Sequence, residues 1–312
     1  LNVIPKLPEI YDEPFGDSSQ IPTYLISKFA KQNVTVALSG DGGDELFCGY
    51  NRYQITDKYW NKLKVIPSSL RRILATGILK FSPEKIEKLY SILNRNPKYN
   101  NFSDKLYKGS NVLASKDLKA LYIGLISACE DPDSIVINGH ESNQLLHSKL
   151  KILENLDDLS LMMSIDLLTY LPDDILTKVD RAAMGVSLET RVPMLDHKVV
   201  EFALKLPQEY KLRESQTKWL LRKVLYRNIP KELIERPKAG FAIPIGLWLR
   251  TSLKDWADDL LNEKSLAQQG FFHPIKIRER WLQHLSGSHN WEHFLWNVLM
   301  FQSWFKDIHE KS

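Results

Sequence analysis

The run SGDGGDE at residues 39–45 brings a serine, three glycines and three carboxylates into one short turn. Glycine tolerates positive φ and lets a ligand approach the main chain closely. The carboxylates repel one another unless a cation lies between them, and Mg²⁺ carried by a nucleotide prefers carboxylate oxygens together with phosphates. This glycine turn therefore predicts a phosphate and metal site. The alternative is a solvated acidic turn in which Asp44 caps the next helix.

The segments on either side of the glycine turn indicate how it is positioned. Residues 34–38 form a short apolar, β-branched run, which predicts a strand buried on both faces. Residues 18–32 predict a preceding helix with its cap at Asp17 or Ser18, and a second helix is expected from Asp44 to about residue 59. Helix, strand, turn and helix in this order predict an α/β fold with the turn at the carboxyl end of a parallel strand.

Downstream of residue 44 the pattern is predominantly helical. Residues 157–171 carry apolar side chains at helical spacing up to Pro172, and this stripe is more simply core than a cofactor site. Residues 214–227 and 291–305 predict amphipathic helices. The polar residues 91–115 predict a surface connection.

Four segments carry a family resemblance. SGDGGDELF at residues 39–47 continues into GYNRY at 49–53, and the others are DEPFGDSS at 12–19, KVDRAAMGVSLETRVPMLD at 178–196 and RPKAGFAIP at 236–244. In this order they resemble the glutamine-dependent asparagine synthetase family, over about residues 1–248. The resemblance implies part of a doubly wound parallel sheet of the adenine nucleotide alpha hydrolase type. It divides the chain into the C-terminal part of an ATP-binding domain at 1–250 and a helical extension, packed on the same domain, at 251–312.

The resemblance also implies a chemistry. Aspartate, ATP and glutamine-derived ammonia would give asparagine, AMP and pyrophosphate through a β-aspartyl-AMP intermediate, with Mg²⁺ as cofactor. Ser39 and Gly40 match positions that contact the nucleotide, and Asp44 matches a magnesium ligand. Asp41 matches a position where asparagine-forming members often have Glu, which assists the step on the acyl-adenylate. The side chain here is one methylene shorter, so the acceptor stays open.

Two further catalytic residues follow from the matched segments. Lys238 matches a lysine that stabilises the adenylate-forming transition state, and its alternative is an ordinary solvated lysine. Glu189 could accept a proton from the incoming amine, as a carboxylate in this region does in related cyclising enzymes. Alternatively, Glu189 with Arg191, and Asp180 with Arg181, form structural ion pairs. Asp180 could also face the nucleotide.

Two parts of the family's full chain have no counterpart in these residues: the N-terminal glutaminase domain and the Ser-Gly-Gly-x-Asp-Ser pyrophosphate loop. We therefore interpret the sequence as the C-terminal part of a longer protein. Two other readings remain: an enzyme that amidates another acid, such as a sugar acid in polysaccharide assembly, or closes a β-lactam ring, and an inactive remnant or interaction module. A homodimer is one arrangement that the sequence leaves open.

Composition sets the remaining bounds. The 312 residues are 43% hydrophobic, enough for a sizeable core, and 42 basic against 38 acidic residues give a charge of +4, too balanced to indicate nucleic acid. Two cysteines provide no disulfide framework, and no run of about 18 apolar residues indicates a membrane span. A reducing cytoplasm is the expected setting. The histidines lack zinc-site spacing, and Cys48, where relatives often have Gly, is expected to be a small packed residue.

Overall fold

The computed structural model describes residues 1–81, 83–93, 106, 109–110, 112–129, 131–140, 153, 155–235 and 243–311. The elements of the first half are α1 (Leu7–Tyr11), α2 (Gln20–Lys31), β1 (Val36–Leu38), α3 (Gly43–Leu46), α4 (Asn51–Leu63), α5 (Ser68–Leu79), α6 (Pro83–Leu93) and α7 (Leu118–Ile126). Those of the second half are α8 (Asp158–Leu168), a π-helix (Leu171–Leu176), α9 (Thr177–Met184), β2 (Glu189–Arg191), α10 (His197–Lys205), α11 (Gln208–Lys211), β3 (Leu212–Arg213), β4 (Gln216–Thr217), α12 (Trp219–Leu225), α13 (Lys231–Ile234), α14 (Ile245–Arg250), α15 (Lys254–Leu260), α16 (Glu263–Gln269), α17 (Pro274–Ser286) and α18 (Glu292–Lys311). Short 3₁₀ turns occur at Ile4–Lys6, Pro132–Ser134 and Pro193–Leu195.

The chain divides into two compact units, each built from separate stretches of sequence. Unit 1 contains residues 1–13, 17–58 and 143–243, and unit 2 contains residues 14–16, 59–142 and 244–312. The glycine turn and both strands of the parallel sheet belong to unit 1. The division expected at residue 250, between an ATP-binding domain and a helical extension, stays a prediction, because these compact units do not test it.

Unit 1 contains a small parallel sheet, so the protein is a mostly helical α/β structure. Strand β1 pairs with β2 in parallel, with Val36 opposite Glu189 and Leu38 opposite Arg191. Helix α2 packs against α9 beside this sheet. The predicted strand is confirmed at residues 36–38, but its expected burial on both faces is wrong, because Leu38 is 74% exposed. Among the described residues β1 has β2 as its only strand partner, and this small sheet leaves Leu38 uncovered.

The single helix expected over residues 44–59 is interrupted. Helix α3 ends after one turn, Cys48 takes φ +56°, and the chain restarts as α4. The Cys48 side chain is fully buried, which confirms that it is a small packed residue. Glycine would reach this left-handed conformation without strain.

Helix α3 is held by neighbours, because four residues are too few to be stable alone. It packs on α8 and α10. Leu46, Phe47 and Ala203 are buried together, with Leu167 and Leu195 packed against them. This core fixes the direction in which the glycine turn leaves β1.

The helix predicted before Pro172 is confirmed as α8, with Asp157 as its N-cap accepting hydrogen bonds from the backbone of residues 159 and 160. A π-helix follows and leads directly into α9. Short π segments occur frequently at functional sites. This one carries Asp174, which contacts Lys178.

The helix predicted over residues 214–227 is only partly correct. Its first residues form an antiparallel hairpin, with Leu212 opposite Thr217, and α12 begins at Trp219. Glu214 and Ser215 take positive φ in the hairpin turn, so the chain cannot be helical there. Lys218 also takes a left-handed conformation and serves as the N-cap of α12.

Unit 2 is helical, and its core includes the fully buried side chains of Leu249, Ile277, Trp281 and Leu299. The predicted C-terminal amphipathic helix is confirmed as α18. Most of the connection predicted over residues 91–115 lies outside the described residues. In the part of the chain that the structure describes, no helix is both long and apolar enough to cross a bilayer.

Candidate active site

The glycine turn begins where β1 ends. The Ser39 amide donates to the Arg191 carbonyl at 2.8 Å, which continues the parallel ladder by one residue. Gly42 takes φ +81° and is the N-cap of α3, and a Cβ there would overlap the Leu195 side chain. The Ser39 hydroxyl donates to the Asp41 carboxylate, and the Asp41 amide donates back to the Ser39 oxygen at 3.4 Å. The turn is therefore closed on itself by Ser39 and Asp41.

Asp44 forms an ion pair that the sequence did not predict. The Nζ atom of Lys218 lies 2.9 Å from Oδ2 of Asp44. Both side chains are partly exposed, so the pair faces accessible space. Lys218 is held in place because its amide donates to the Phe47 carbonyl at 3.1 Å.

Gly49 makes room for this pair. A Cβ at this position would overlap the Oδ1 atom of Asp44 and the Cε atom of Lys218. The Gly49 amide also donates to the Asp44 carbonyl at 2.8 Å. The absence of a side chain at residue 49 thus allows a carboxylate and an ammonium to meet beside the backbone.

Glu45, the third carboxylate of the turn, points into the protein. Only 2% of it is exposed, and its Oε1 accepts a hydrogen bond from the Tyr50 hydroxyl at 2.6 Å. Burial raises the pKa of the Glu45 carboxyl, the Tyr50 hydrogen bond opposes this shift, and the charges of Asp44 and Asp166 add to it. The turn therefore presents Asp41 and Asp44 outward and anchors itself through Glu45.

The alternative in which Asp44 caps the next helix is wrong. The N-cap of α3 is Gly42, and no side chain makes a capping hydrogen bond there. Asp44 lies in the first turn of α3 and reaches across to Lys218 instead. The expected cap of α2 is also shifted, to Ser19, although Asp17 does accept a hydrogen bond from the Ser19 amide.

The predicted site residues fall into three groups. Ser39, Gly40, Asp41 and Asp44 lie together in the turn. Glu189 lies at the start of β2 opposite Val36, three residues or about 10 Å along the strand from Ser39. Lys238 and its loop lie outside the described residues.

Glu189 forms an ion pair, because Nε of Arg191 donates to its Oε1 at 2.6 Å. Both side chains are exposed, and Arg191 belongs to the end of β2 that adjoins Ser39. This contact agrees with the structural interpretation of the pair. A catalytic role for Glu189 stays a prediction.

The donor set bears on magnesium. No group of three or more His, Cys, Asp or Glu side chains that could hold a metal occurs among the residues that the structure describes. Mg²⁺ commonly binds one or two carboxylates and completes its shell with substrate phosphates and water. Asp44 is a partly exposed single carboxylate beside the Lys218 ammonium. It therefore suits a Mg²⁺ ion that arrives with phosphates better than a site made of protein side chains alone.

A second polar cluster joins two of the motif segments. Lys178 Nζ lies 2.5 Å from Asp17 Oδ2 and 3.3 Å from Asp174 Oδ1, and the Lys178 side chain is almost buried. Burial and the charge of Asp17 raise the pKa of Asp174 from 3.8 to about 6. Burial also acts to raise the pKa of Asp17, but the Lys178 ammonium and the hydrogen bonds from Lys178 and Ser19 lower it overall. The cluster therefore fixes Asp17 against the start of α9.

Sequence reasoning missed Lys218. The Lys218 side chain contacts Asp44 because the hairpin β3–β4 places residue 218 beside the glycine turn. The residues next to Lys218 in the sequence do not predict this contact. The anchoring role of Glu45 was also missed, although the motif continuing to Tyr50 was recognised. A tyrosine five residues after a carboxylate is too common to serve as a signal.

Comparisons with known proteins agree with these observations. The family model described as asparagine synthase matches residues 1–306. An asparagine synthetase (glutamine-hydrolysing) 1 of Bacillus subtilis is 31% identical over 311 residues, which are 97% of this chain and 45% of the relative. A putative asparagine synthetase of Mycobacterium tuberculosis H37Rv is 32% identical over 306 residues, 96% of this chain and 44% of the relative.

A shorter match is closer in sequence. A putative asparagine synthetase 2 of Methanocaldococcus jannaschii is 62% identical over 48 residues, or 15% of this chain. The chain thus spans a little under half the length of the two relatives that it matches almost throughout. The family model alone covers nearly every residue, and the chain belongs to the asparagine synthase family.

Proposed function

We propose that this chain is the C-terminal part of the ATP-binding domain of a glutamine-dependent amidotransferase that converts aspartate to asparagine. The Asp44–Lys218 pair, in a glycine turn at the carboxyl end of a parallel strand, is the observation that carries this proposal. The carboxyl ends of parallel strands are where open α/β sheets bind nucleotides. Family membership supports the choice of ATP as the nucleotide and ammonia from glutamine as the nitrogen source.

The reaction follows from the bond to be made. A carboxylate becomes an amide only with a better leaving group than oxide, so the β-carboxylate of aspartate attacks the α-phosphorus of ATP and pyrophosphate leaves. Ammonia then attacks the acyl carbon of β-aspartyl-AMP, AMP leaves, and one proton is lost. The site must neutralise phosphate charge in the first step and accept a proton in the second.

The residues can be given roles in these steps. Backbone groups at Ser39 and Gly40 bind phosphate oxygens, and the Lys218 ammonium moves its charge from Asp44 toward the polyphosphate. Asp44 would hold Mg²⁺, which would supply Lewis-acid stabilisation of the phosphates. Lys238 stabilises the adenylate-forming transition state, and Asp41 and Glu189 are the candidates for assisting the amine step.

The proposed fold is wider than the two strands described. A three-residue parallel pair is too small to be stable alone, and parallel strands are ordinarily buried by helices on both faces. The exposed Leu38 supports a larger doubly wound sheet, completed by the portion of the relatives that this chain does not match. That portion would bring the pyrophosphate loop and the glutaminase domain.

A second acceptor is favoured by one observation. Asp41 is shorter than the Glu often found in asparagine-forming relatives, and its carboxylate is engaged by the Ser39 hydroxyl. An acid of another shape, such as a sugar acid, would then be amidated by the same adenylation. Product analysis with aspartate and ammonia separates the two, since turnover of ATP on another acid without asparagine excludes the first.

The residue roles are tested by ATP–pyrophosphate exchange in the complete protein. Asp44→Asn and Lys238→Ala should each abolish exchange, because each removes a charge to which the proposal gives a role at the phosphates. Asp173→Asn and Lys254→Ala are matched controls at exposed positions and should exchange normally. Near-normal exchange in either site variant would reject its role.

The chain alone requires a separate measurement. Without the pyrophosphate loop we expect weak binding of Mg-ATP at most, which isothermal titration of the 312-residue chain measures directly. Tight binding would show that these residues form a sufficient site, whereas an inactive remnant would bind nothing even when the preceding segment is supplied.

A further inference from the structure

Arg52 lies at the centre of a group of tyrosines next to the glycine turn. Its Cζ atom is 4.3 Å from the ring centroid of Tyr50, 4.7 Å from that of Tyr170 and 5.9 Å from that of Tyr53. Tyr50 and Tyr170 also contact each other edge to face, with centroids 5.9 Å apart. A guanidinium over several aromatic faces is held in both position and orientation.

The same guanidinium is fixed by a buried carboxylate. Nη2 of Arg52 donates to Oδ2 of Asp166 at 2.6 Å, and the Tyr53 hydroxyl donates to the same oxygen at 2.6 Å. Asp166 is fully buried on α8, the helix on which α3 packs. Arg52 therefore connects the first turn of α4 to a rigid part of the core.

The contact with Tyr50 continues to the glycine turn. The Tyr50 hydroxyl holds the buried Glu45 carboxylate, and Glu45 follows Asp44 in the single turn of α3. Because α3 is too short to hold its own shape, the position of Asp44 depends on what fixes Glu45. The path runs from Asp166 through Arg52, Tyr50 and Glu45 to Asp44.

We propose that Arg52 is a positioning residue for the glycine turn and acts through Tyr50 and Glu45 on Asp44. The consequence for nucleotide affinity rests on the function proposed above, but the ordering of the turn does not. Lysine cannot replace arginine in this role, since an ammonium has no planar face to lie over the rings while it pairs with Asp166.

Hydrogen exchange of the 312-residue chain tests the ordering directly. Arg52→Lys keeps a charge near Asp166, and Tyr50→Phe keeps the ring but removes the hydroxyl from Glu45. Each should raise amide exchange in peptides covering residues 39–50 about tenfold, from the loss of one cation–π contact or one hydrogen bond. The double variant should match the more severe single one, because both changes interrupt the same path.

Arg71→Lys is the matched control, as Arg71 also lies over an aromatic ring, that of Trp60 at 5.4 Å, but belongs to unit 2. It should leave exchange in residues 39–50 unchanged. Wild-type exchange at residues 39–50 in Arg52→Lys would overturn the proposal. So would an increase in the double variant equal to the product of the two single increases. If Arg52→Lys does not fold, Tyr50→Phe alone decides the question. Wild-type amide exchange at residues 39–50 in Tyr50→Phe would then refute the proposed path.

The complete protein provides the functional readout. Arg52→Lys should raise KM for Mg-ATP about tenfold with kcat changed less than twofold, because it displaces Asp44 without removing it. An unchanged KM in a variant with a loosened turn overturns the link to nucleotide binding. A loosened turn in a protein whose wild type binds no ATP supports the positioning role and refutes the proposed function instead.

Discussion

Gly49→Ala should disturb the geometry of the Asp44–Lys218 pair while changing the stability of the protein little. The added Cβ would lie 2.7 Å from Cγ of Asp44 and would overlap the Lys218 side chain. Gly49 is not among the residues with positive φ, so the backbone accepts alanine. Only the ends of two partly exposed side chains must move, and the Asp44–Lys218 pair opens.

The two contributions to stability are small and opposite. An ion pair with side chains 26% and 31% exposed contributes about 0.2–1 kcal/mol. Alanine in place of glycine restricts the unfolded chain and stabilises by about 0.4–1 kcal/mol. We therefore expect the melting temperature to stay within about 2–4 °C of the wild type, since 1 kcal/mol shifts it by that much in proteins of about 150–250 residues and by no more in a larger one.

The effect on nucleotide binding should be much larger. The displaced Lys218 would lose its proposed hydrogen bond to the polyphosphate. A charge-assisted hydrogen bond of this kind contributes about 1.5–3 kcal/mol, and its loss lowers affinity roughly 10–150-fold. Isothermal titration of Mg-ATP into the complete protein, beside thermal melting by circular dichroism, measures both quantities. Gly49→Ala should weaken binding with little change in melting.

Two other glycines serve as contrasts. Gly42→Ala combines φ +81° with overlap of Leu195, so it should lower stability by about 1–2 kcal/mol or more. Gly77→Ala, on α5 with open space around it, should stabilise by up to about 1 kcal/mol and leave binding unchanged. Wild-type affinity in Gly49→Ala, or a stability loss as large as that of Gly42→Ala, would refute this reasoning.

Two further predictions concern other parts of the molecule. Asp174→Asn should gain stability relative to the wild type as pH rises from about 4 through 6. The raised pKa of Asp174 lets the folded wild type hold a proton that the unfolded chain has lost, so the wild type loses stability over this range. Urea unfolding of both proteins at pH 4.5 and 7.5 checks this, and an equal difference in unfolding free energy at the two pH values would contradict it. Leu299→Ala, at a fully buried position on α18, should lower the free energy of unfolding by about 2–5 kcal/mol, whereas the exposed Leu282→Ala should change it by no more than about 0.5 kcal/mol in the same urea experiment.

Local sequence signals predicted the parts of the site that are local in the structure. The strand at residues 36–38, the turn after it and the helix before Pro172 each depend on neighbouring residues, and each was predicted from pattern alone. Helix α18 was equally recognisable from its apolar spacing. These elements follow from backbone propensity and periodicity, which a single sequence contains.

What the sequence could not provide was contacts between distant segments. Lys218 reaches Asp44 through a hairpin at residues where a helix was expected, and positive φ at Glu214 and Ser215 is not visible in residue type. The exposure of Leu38 depends on which strands flank β1, a property of the sheet and not of the strand. Burial of a strand on both faces is thus a tertiary outcome that an apolar run only suggests.

The parallel pairing of β1 with β2 has a consequence for how the protein folds. The paired residues of the two strands are separated by nearly half of the 312 residues, and the Asp17–Lys178 and Asp44–Lys218 pairs close loops of comparable length. Closing such loops costs chain entropy before the new contacts contribute any favourable free energy. Contacts between segments so far apart in sequence therefore form slowly. We therefore expect the glycine turn to acquire its shape late, after the segments around residues 166–218 have docked. Under the proposed function, nucleotide added to the refolding complete protein should bind only at the end of folding, after the turn has formed, and should not speed the formation of the turn.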